Sequence, residues 1–161
     1  FGIGGAFGNS FGGSKADTFK ELQWTVPILP PEKPRHLLGI GRVEDLFYGV
    51  EQGIDSFDCV VPTREARHGW LWTRAGRLDI KKSVNDKNTS PIHEECACWV
   101  CADQGISRGR LYELFTAKDP LAARFATVHN MFFFNDLMER IRLAIQEDRF
   151  IELQQEYVRR P

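Results

Sequence analysis

The sequence predicts an α/β fold with parallel strands. Residues 35–41 form a short apolar run bracketed by glycines, residues 43–52 carry apolar side chains on one side of a helix, and residues 53–61 form a second apolar run that ends at Pro62. A strand, a helix and a strand joined by such short connections are typical of parallel sheets and α/β barrels. Reactive groups in these folds lie at the carboxyl ends of strands, so the ends of both runs are candidate functional positions.

The segment before the first run divides into a glycine-rich stretch, a helix and a connection. Residues 1–14 contain six glycines with interleaved phenylalanines. This composition indicates either a strand end with an irregular loop or a backbone that approaches a ligand closely. Residues 14–22 have apolar side chains at helical spacing, and the prolines of residues 27–34 prevent that helix from continuing.

The remaining elements are predicted from periodicity. Residues 70–80 alternate between apolar and polar side chains around Ala75-Gly76, which predicts a β-hairpin, and residues 83–90 predict an exposed polar loop. The three phenylalanines at residues 132–134 favour packing in the core over a stacking platform for bases. Helices are predicted over residues 107–116, 120–127, 131–146 and 150–160.

Asp58 is the first candidate for chemistry. It lies within the second apolar run, where a carboxylate is costly to bury unless it is paired, hydrogen-bonded or used in a reaction. Arg64 and Arg67 follow in a predicted loop beyond Pro62, a placement that suits a nucleophile or an acid beside a phosphodiester backbone. Residues 63–87 hold seven basic and three acidic residues, which indicates either a phosphate-binding patch or an ordinary solvated face.

Cys96, Cys98 and Cys101 are the second candidate. Three cysteines within six residues indicate a metal site sooner than a disulfide, because cysteines one residue apart rarely reach bridging geometry. A closed tetrahedral site needs a fourth ligand, which is the arrangement expected of structural zinc. His93 is a local candidate for that ligand. Cys59 is predicted to be a small buried side chain without a metal role.

These motifs closely resemble the tRNA-guanine transglycosylase family. The resemblance rests on Phe57-Asp-Cys-Val-Val-Pro-Thr-Arg64, on the Cys-x-Cys-x-x-Cys segment that starts at Cys96, and on His129-Asn130, and it runs over nearly the whole chain. It implies the C-terminal part of a (β/α)8 barrel, of which this chain would supply the last three strands, with an inserted zinc-binding subdomain. It also implies one structural Zn²⁺ held by Cys96, Cys98, Cys101 and His129. His129 is favoured over His93 because it ties a distant helix start to the cysteine loop.

The resemblance further assigns the nucleophile, the base pocket and the RNA contacts. Asp58 would be the nucleophile, and Gly4, Gly5 and Leu38 would contact the base, although residues 6–9 depart from the Leu-Ala-Val-Gly common in bacterial members. The RNA-contacting residues would be Gly39, Ile40, Gly41, Arg42, Val43, Glu44, Asp45, Thr63, Arg64, Glu65, Ala66 and Arg67.

The activity implied by the resemblance is base exchange in tRNA. Guanine at the wobble position of the anticodon would be replaced by a 7-deazaguanine through a covalent aspartyl-ribose intermediate, in queuosine biosynthesis or salvage. Whether the incoming base is queuine or its precursor stays open. The implied partners are the tRNA anticodon loop, guanine, the 7-deazaguanine base and a second copy of the chain. The alternative is a non-catalytic, zinc-stabilised tRNA-binding subunit or fragment, and an archaeal-type enzyme acting outside the anticodon is a third.

Composition bounds the class of protein. The chain has 161 residues, 42% hydrophobic content and a formal charge of −1, and no stretch approaches the roughly 20 apolar residues of a membrane span. We therefore expect a soluble cytoplasmic protein. Phe1 in place of Met indicates a fragment or a processed product that would be inactive alone. The predicted divisions are residues 1–62 with the last barrel strands, 63–130 with the RNA-binding loop and zinc subdomain, and 131–161 with C-terminal helices.

Overall fold

A computed structural model describes residues 1–4 and 15–158 of the chain. The chain forms two compact units, Phe1–Val61 and Pro62–Pro161. Within the described residues, no helix has both the length and the apolar character needed to cross a bilayer.

The first unit is a three-stranded parallel sheet with helices. Its strands β1 (Gly2–Ile3), β2 (His36–Leu38) and β3 (Ser56–Asp58) lie in that order, with Leu37 paired to Ile3 on one side and to Phe57 on the other. Ile3, Leu37 and the helical Leu22 are buried together with Ile54. The elements are β1 (Gly2–Ile3), α1 (Lys15–Thr25), a 3-10 turn (Val26–Ile28), β2 (His36–Leu38), α2 (Val43–Glu51) and β3 (Ser56–Asp58).

The strand, helix, strand order predicted for residues 35–61 is confirmed, but the second strand is shorter than predicted. β3 ends at Asp58, and Val61 already begins the helix α3 (Val61–Arg67). The prediction of a loop beyond Pro62 is therefore wrong. Proline in the first turn of a helix has its φ preset and lacks only an N–H that would have no helical partner, so Pro62 lies in the first turn of this helix instead of stopping regular structure.

The second unit is a hairpin followed by helices. The hairpin predicted over residues 70–80 is confirmed, with Gly76 at φ +105° at its tip. Ser107 accepts a hydrogen bond from the Arg110 amide and caps the start of α4 (Arg108–Thr116), and Asp119 accepts one from the Leu121 amide and caps the start of α5 (Pro120–Gln146). The elements are β4 (Trp70–Thr73), β5 (Gly76–Asp79), a 3-10 turn (Ser83–Asn85), α4 (Arg108–Thr116), α5 (Pro120–Gln146) and α6 (Phe150–Tyr157).

Two predictions for this unit are wrong. The helices predicted over residues 120–127 and 131–146 are one continuous helix, because no proline or glycine follows Pro120 in α5 and the polar residues in its middle are buried with partners. The loop over residues 83–90 is not wholly exposed: Asn85 is buried and donates to the carbonyls of Asp79 and Ile80. Phe133 and Phe134 are buried, as predicted for core packing.

The mixed α/β class is thus confirmed, whereas the described residues contain three parallel strands and close no barrel. The eight-stranded barrel stays a prediction.

Candidate functional site

Four side chains of the second unit converge on one point. The ligand atoms of Cys96, Cys98, Cys101 and His129 lie within 4.8 Å of one another. The three cysteines come from the segment between β5 and α4, and His129 comes from the middle of α5. The structure thus brings together every residue predicted to bind zinc, although His129 lies inside a helix and not at a helix start.

The separations within this cluster fit a tetrahedral metal. His129 Nδ1 lies 3.7 Å from the Cys96 sulfur, 3.7 Å from the Cys98 sulfur and 3.5 Å from the Cys101 sulfur. Zinc with bonds of about 2.3 Å to sulfur and about 2.0–2.1 Å to nitrogen places these atoms about 3.6 Å apart in a tetrahedron. The four residues therefore could hold one metal ion, and the three-sulfur, one-nitrogen donor set is one that structural zinc prefers.

The backbone carbonyl of Trp72 fixes the orientation of His129. Nε2 of His129 lies 2.9 Å from this oxygen, and the ring is fully buried. A ring nitrogen that faces a carbonyl carries the proton, so Nε2–H donates and the lone pair of Nδ1 points at the sulfurs. His129 is therefore held in the tautomer that binds a metal.

The four groups also perturb one another's protonation. Burial lowers the pKa of His129, but hydrogen bonds with Cys96 and Cys98 raise it more, to about 9. Hydrogen bonds with Cys101 and Cys96 hold the pKa of the Cys98 thiol far below its usual range, whereas the contacts with Cys96 and Cys98 raise the pKa of Cys101. The three thiols and the imidazole must lose their shared protons to bind a divalent cation, so metal binding at this cluster would release protons.

Asn130 ties the metal-binding helix to the hairpin. Its side-chain oxygen accepts from the Trp72 amide at 3.0 Å, and its nitrogen donates to the carbonyls of Pro62 and Trp70, each at 3.0 Å. The side chain is fully buried. The family resemblance implies His129 as a ligand but not the structural role of its neighbour, for which a second polar residue in the middle of the helix is the available signal.

Asp58 lies in the first unit, at the carboxyl end of β3. It pairs in register with Leu38 at the end of β2. Its Oδ1 lies 3.1 Å from His36 Nε2 and accepts a hydrogen bond from the Gly39 amide at 3.3 Å. The side chain is 60% exposed, so the expectation of a buried carboxylate is wrong. The apolar residues around it in sequence gave that expectation, but one of them, Val60, is itself exposed.

Two of the predicted base-contacting residues lie at the same edge of the sheet as this carboxylate. Leu38 is half exposed. Gly4 directly follows β1, and its backbone lies so close to Leu38 that a Cβ at Gly4 would be 2.8 Å from the Leu38 side chain. The strand ends of β1, β2 and β3 thus bring Gly4, Leu38 and Asp58 to one edge of the sheet. Gly5 and residues 6–9 lie outside the described residues.

The residues predicted to contact RNA after β2 and in the first turn of α2 differ in exposure. Gly39, Arg42 and Glu44 are exposed, Ile40 and Asp45 are partly buried, and Gly41 and Val43 are buried. A Cβ at Gly41 would lie 1.8 Å from the Cys59 sulfur, so this position accepts only glycine without rearrangement. A ligand therefore would meet the Gly39 backbone and the side chains of Arg42 and Glu44.

The residues predicted to contact RNA in α3 also divide. Arg64 and Arg67 are exposed, whereas Ala66 is fully buried in the core. Glu65 accepts from Trp72 Nε1 at 2.7 Å and pairs with Arg77 at 3.3 Å, so its carboxylate is engaged within the protein. Thr63 is partly buried.

Comparison with known proteins gives a consistent result over the whole chain. The sequence model of the family described as Queuine tRNA-ribosyltransferase matches residues 1–161. A protein named queuine tRNA-ribosyltransferase from Caldanaerobacter subterraneus subsp. tengcongensis is 44% identical over 153 residues, which are 95% of this chain and 40% of that protein. Proteins of the same name from Desulforudis audaxviator and Neisseria meningitidis serogroup C are 40% and 43% identical, over 98% and 93% of this chain. The chain spans about 40% of the length of these relatives.

Proposed function

Because this chain belongs to the queuine tRNA-ribosyltransferase family, we propose that it is the nucleophile-bearing and metal-binding part of an enzyme that exchanges a base in tRNA. The enzyme replaces guanine at the wobble position of the anticodon by a 7-deazaguanine, which is either queuine or its precursor. The observation that carries this proposal is the exposed Asp58 carboxylate at the carboxyl end of a parallel strand, beside Leu38 and the Gly39 amide.

The reaction follows from the chemistry of a glycosidic carbon. Exchange of a base with retained configuration takes two inverting displacements and one covalent intermediate. An Asp58 oxygen bonds to ribose C1′ while the bond from C1′ to guanine breaks, and guanine leaves with the electron pair and takes up a proton. The incoming base then loses a proton and displaces the carboxylate from C1′. We assign these proton transfers to groups in the rest of the protein, since the chain spans about 40% of its relatives.

The metal has a structural role in this proposal. Three thiolates and one imidazole complete a tetrahedral zinc site and leave no position for a substrate. Cys96, Cys98, Cys101 and His129 thus hold the cysteine segment, α5 and, through Trp72, the hairpin in one arrangement.

The RNA is held by exposed cations and backbone groups. A base inside an anticodon loop must leave its stack before C1′ can be attacked. We assign Gly39 to Asp45 and Thr63 to Arg67 to contacts with the loop, and Arg42, Arg64 and Arg67 are the exposed cations in these segments. Residues 1–62 belong to the barrel of the whole enzyme, 63–130 to the RNA and zinc region, and 131–161 to helices that pack on the barrel. The enzyme acts in the cytoplasm as a homodimer.

The test uses the full-length protein and Asp58→Asn. The wild type, mixed with labelled tRNA and no incoming base, should give a covalent RNA adduct on a denaturing gel, and it should incorporate labelled guanine into tRNA. Asp58→Asn should lose the adduct and at least about a thousandfold in exchange rate, because an amide is a poor nucleophile. Asp55→Asn is the matched control, since Asp55 is an exposed acid three residues away whose Oδ2 accepts from the Arg35 amide.

The outcomes separate the two functional hypotheses. Exchange by Asp58→Asn at the wild-type rate would refute the assignment of the nucleophile. Tight tRNA binding by the wild type with neither adduct nor exchange would identify a non-catalytic tRNA-binding subunit. The isolated 161-residue chain should bind metal without exchange activity.

A further inference from the structure

His36 is placed by the sheet register to reach the Asp58 carboxylate. His36 pairs with Ser56 across β2 and β3, and Leu38 pairs with Asp58 two residues later. Side chains two residues apart on a strand lie on the same face of the sheet. His36, Ser56 and Asp58 therefore share one face, with Ser56 directly opposite His36 and Asp58 on the diagonal.

The imidazole of His36 bridges these two side chains. Its Nδ1 lies 2.9 Å from Ser56 Oγ, and its Nε2 lies 3.1 Å from Asp58 Oδ1. A carboxylate only accepts hydrogen bonds, so Nε2 of His36 carries a proton and donates a hydrogen bond to Oδ1 of Asp58. The Ser56 hydroxyl either donates to Nδ1 or accepts from it, so this arrangement suits both the neutral ring and the imidazolium.

The two oxygens of Asp58 are therefore unequal. Oδ1 receives the His36 Nε2–H and, at 3.3 Å, the Gly39 amide. Among the residues that the structure describes, no hydrogen-bond donor contacts Oδ2. Donors on one oxygen fix the rotation of a carboxylate and leave the other oxygen available to an electrophile.

We propose that His36 is a positioning residue for the nucleophile: it holds Asp58 through Oδ1, with Ser56 orienting its ring, so that Oδ2 is the atom that bonds to ribose C1′. This inference rests on the proposed function of Asp58. When Oδ2 bonds to C1′, Oδ1 becomes the carbonyl oxygen of the ester. When the incoming base breaks the bond between C1′ and Oδ2, the electron pair returns to the carboxylate, and the donors on Oδ1 stabilise the charge that reappears there. His36 thus acts in both displacements without itself bonding to the substrate.

The experiment compares two substitutions of His36 in the full-length enzyme. His36→Leu removes the donor at similar bulk, whereas His36→Gln keeps an N–H donor at about the same distance from the backbone. We expect His36→Leu to lower kcat for guanine exchange by about 10- to 100-fold with KM for tRNA within about twofold of the wild type. His36→Gln should recover most of this loss, and Ser56→Ala should lower kcat by less than His36→Leu does.

The results distinguish this inference from the proposal on which it rests. Loss of the adduct in Asp58→Asn together with a wild-type kcat in His36→Leu would overturn the role of His36 and leave the nucleophile in place. Equal losses of kcat in His36→Leu and His36→Gln would show that the hydrogen bond donated by His36 is not what supports the reaction, and would also overturn the role of His36. Undiminished exchange by Asp58→Asn would overturn both. Because a folding defect lowers activity without rescue by glutamine, melting curves of all variants and the smaller change Ser56→Ala keep the test decisive.

Discussion

The two units of the chain differ in how deeply their candidate functional and structural polar side chains are buried. In residues 62–161 the side chains of His129 and Asn130 are fully buried, and each has a hydrogen-bond partner on the hairpin. In residues 1–61 the Asp58 side chain is 60% exposed, although His36 and Gly39 contact it. Buried polar groups need partners to avoid a desolvation cost, whereas an exposed carboxylate is free to meet a substrate. The second unit thus buries two polar groups that join its long helix to its hairpin, whereas the first unit exposes the carboxylate that we propose as the nucleophile.

The two units also differ in how their cores are built. Buried Cys98 and Val100 from the cysteine segment pack with Leu71 of the hairpin and Leu111 of α4, so a candidate metal ligand is also part of the hydrophobic core. The sheet unit has strands of two or three residues, and β1 and β3 are its outer strands in the described part of the chain. Among the described residues, the outer edges of β1 and β3 are therefore not paired with a further strand.

Removal of the metal should have the largest effect on stability. It should unfold the second unit and leave the first unit unaffected. Structural zinc contributes binding free energies of about 10–16 kcal/mol in small domains, which is comparable to the whole stability of a domain. We expect a strong chelator to abolish the near-ultraviolet dichroism from Trp70, Trp72 and Trp99 and to release one zinc per chain.

Cys98→Ser should reproduce the effect of the chelator, whereas Cys59→Ser should keep the metal, because Cys59 lies in the sheet unit outside the cluster. A metal-free chain that retained the tryptophan signal would show that the second unit folds without the metal and would end this contrast between the units.

Loss of the Asn130 side chain should have an intermediate effect. Asn130→Ala leaves the Trp72 amide and the carbonyls of Pro62 and Trp70 without their partner in a buried site. We expect a destabilisation of about 2–4 kcal/mol in urea unfolding of the metal-bound protein. Asn135→Ala is the matched control on the same helix, since that side chain is exposed, and it should change stability by less than about 0.5 kcal/mol. Similar losses in both variants would mean that Asn130 is not a structural tie.

The sequence predicted the metal cluster better than it predicted the surroundings of Asp58, for a physical reason. The three cysteines lie within six residues, so their spacing in the sequence alone indicates a metal site. The hairpin is likewise predicted from the alternation of apolar and polar side chains along residues 70–80. The contact between His36 and Asp58 depends on the register of two strands, which sequence spacing does not determine. The continuity of α5 was missed because His129 and Asn130 interrupt its apolar pattern, and only their tertiary partners explain why a helix buries them.

The smallest effect expected on stability belongs to Asp58. Exposed pairs between charged groups contribute about 0–1 kcal/mol, because water already solvates both partners. Asp58→Asn keeps the shape of the side chain, and the amide oxygen can still accept from His36 and Gly39. We therefore expect urea unfolding of the full-length protein to change by less than about 0.5 kcal/mol while base exchange is lost. A loss of stability as large as that from Asn130→Ala would place Asp58 among the structural polar groups, and the loss of activity would then no longer identify a nucleophile.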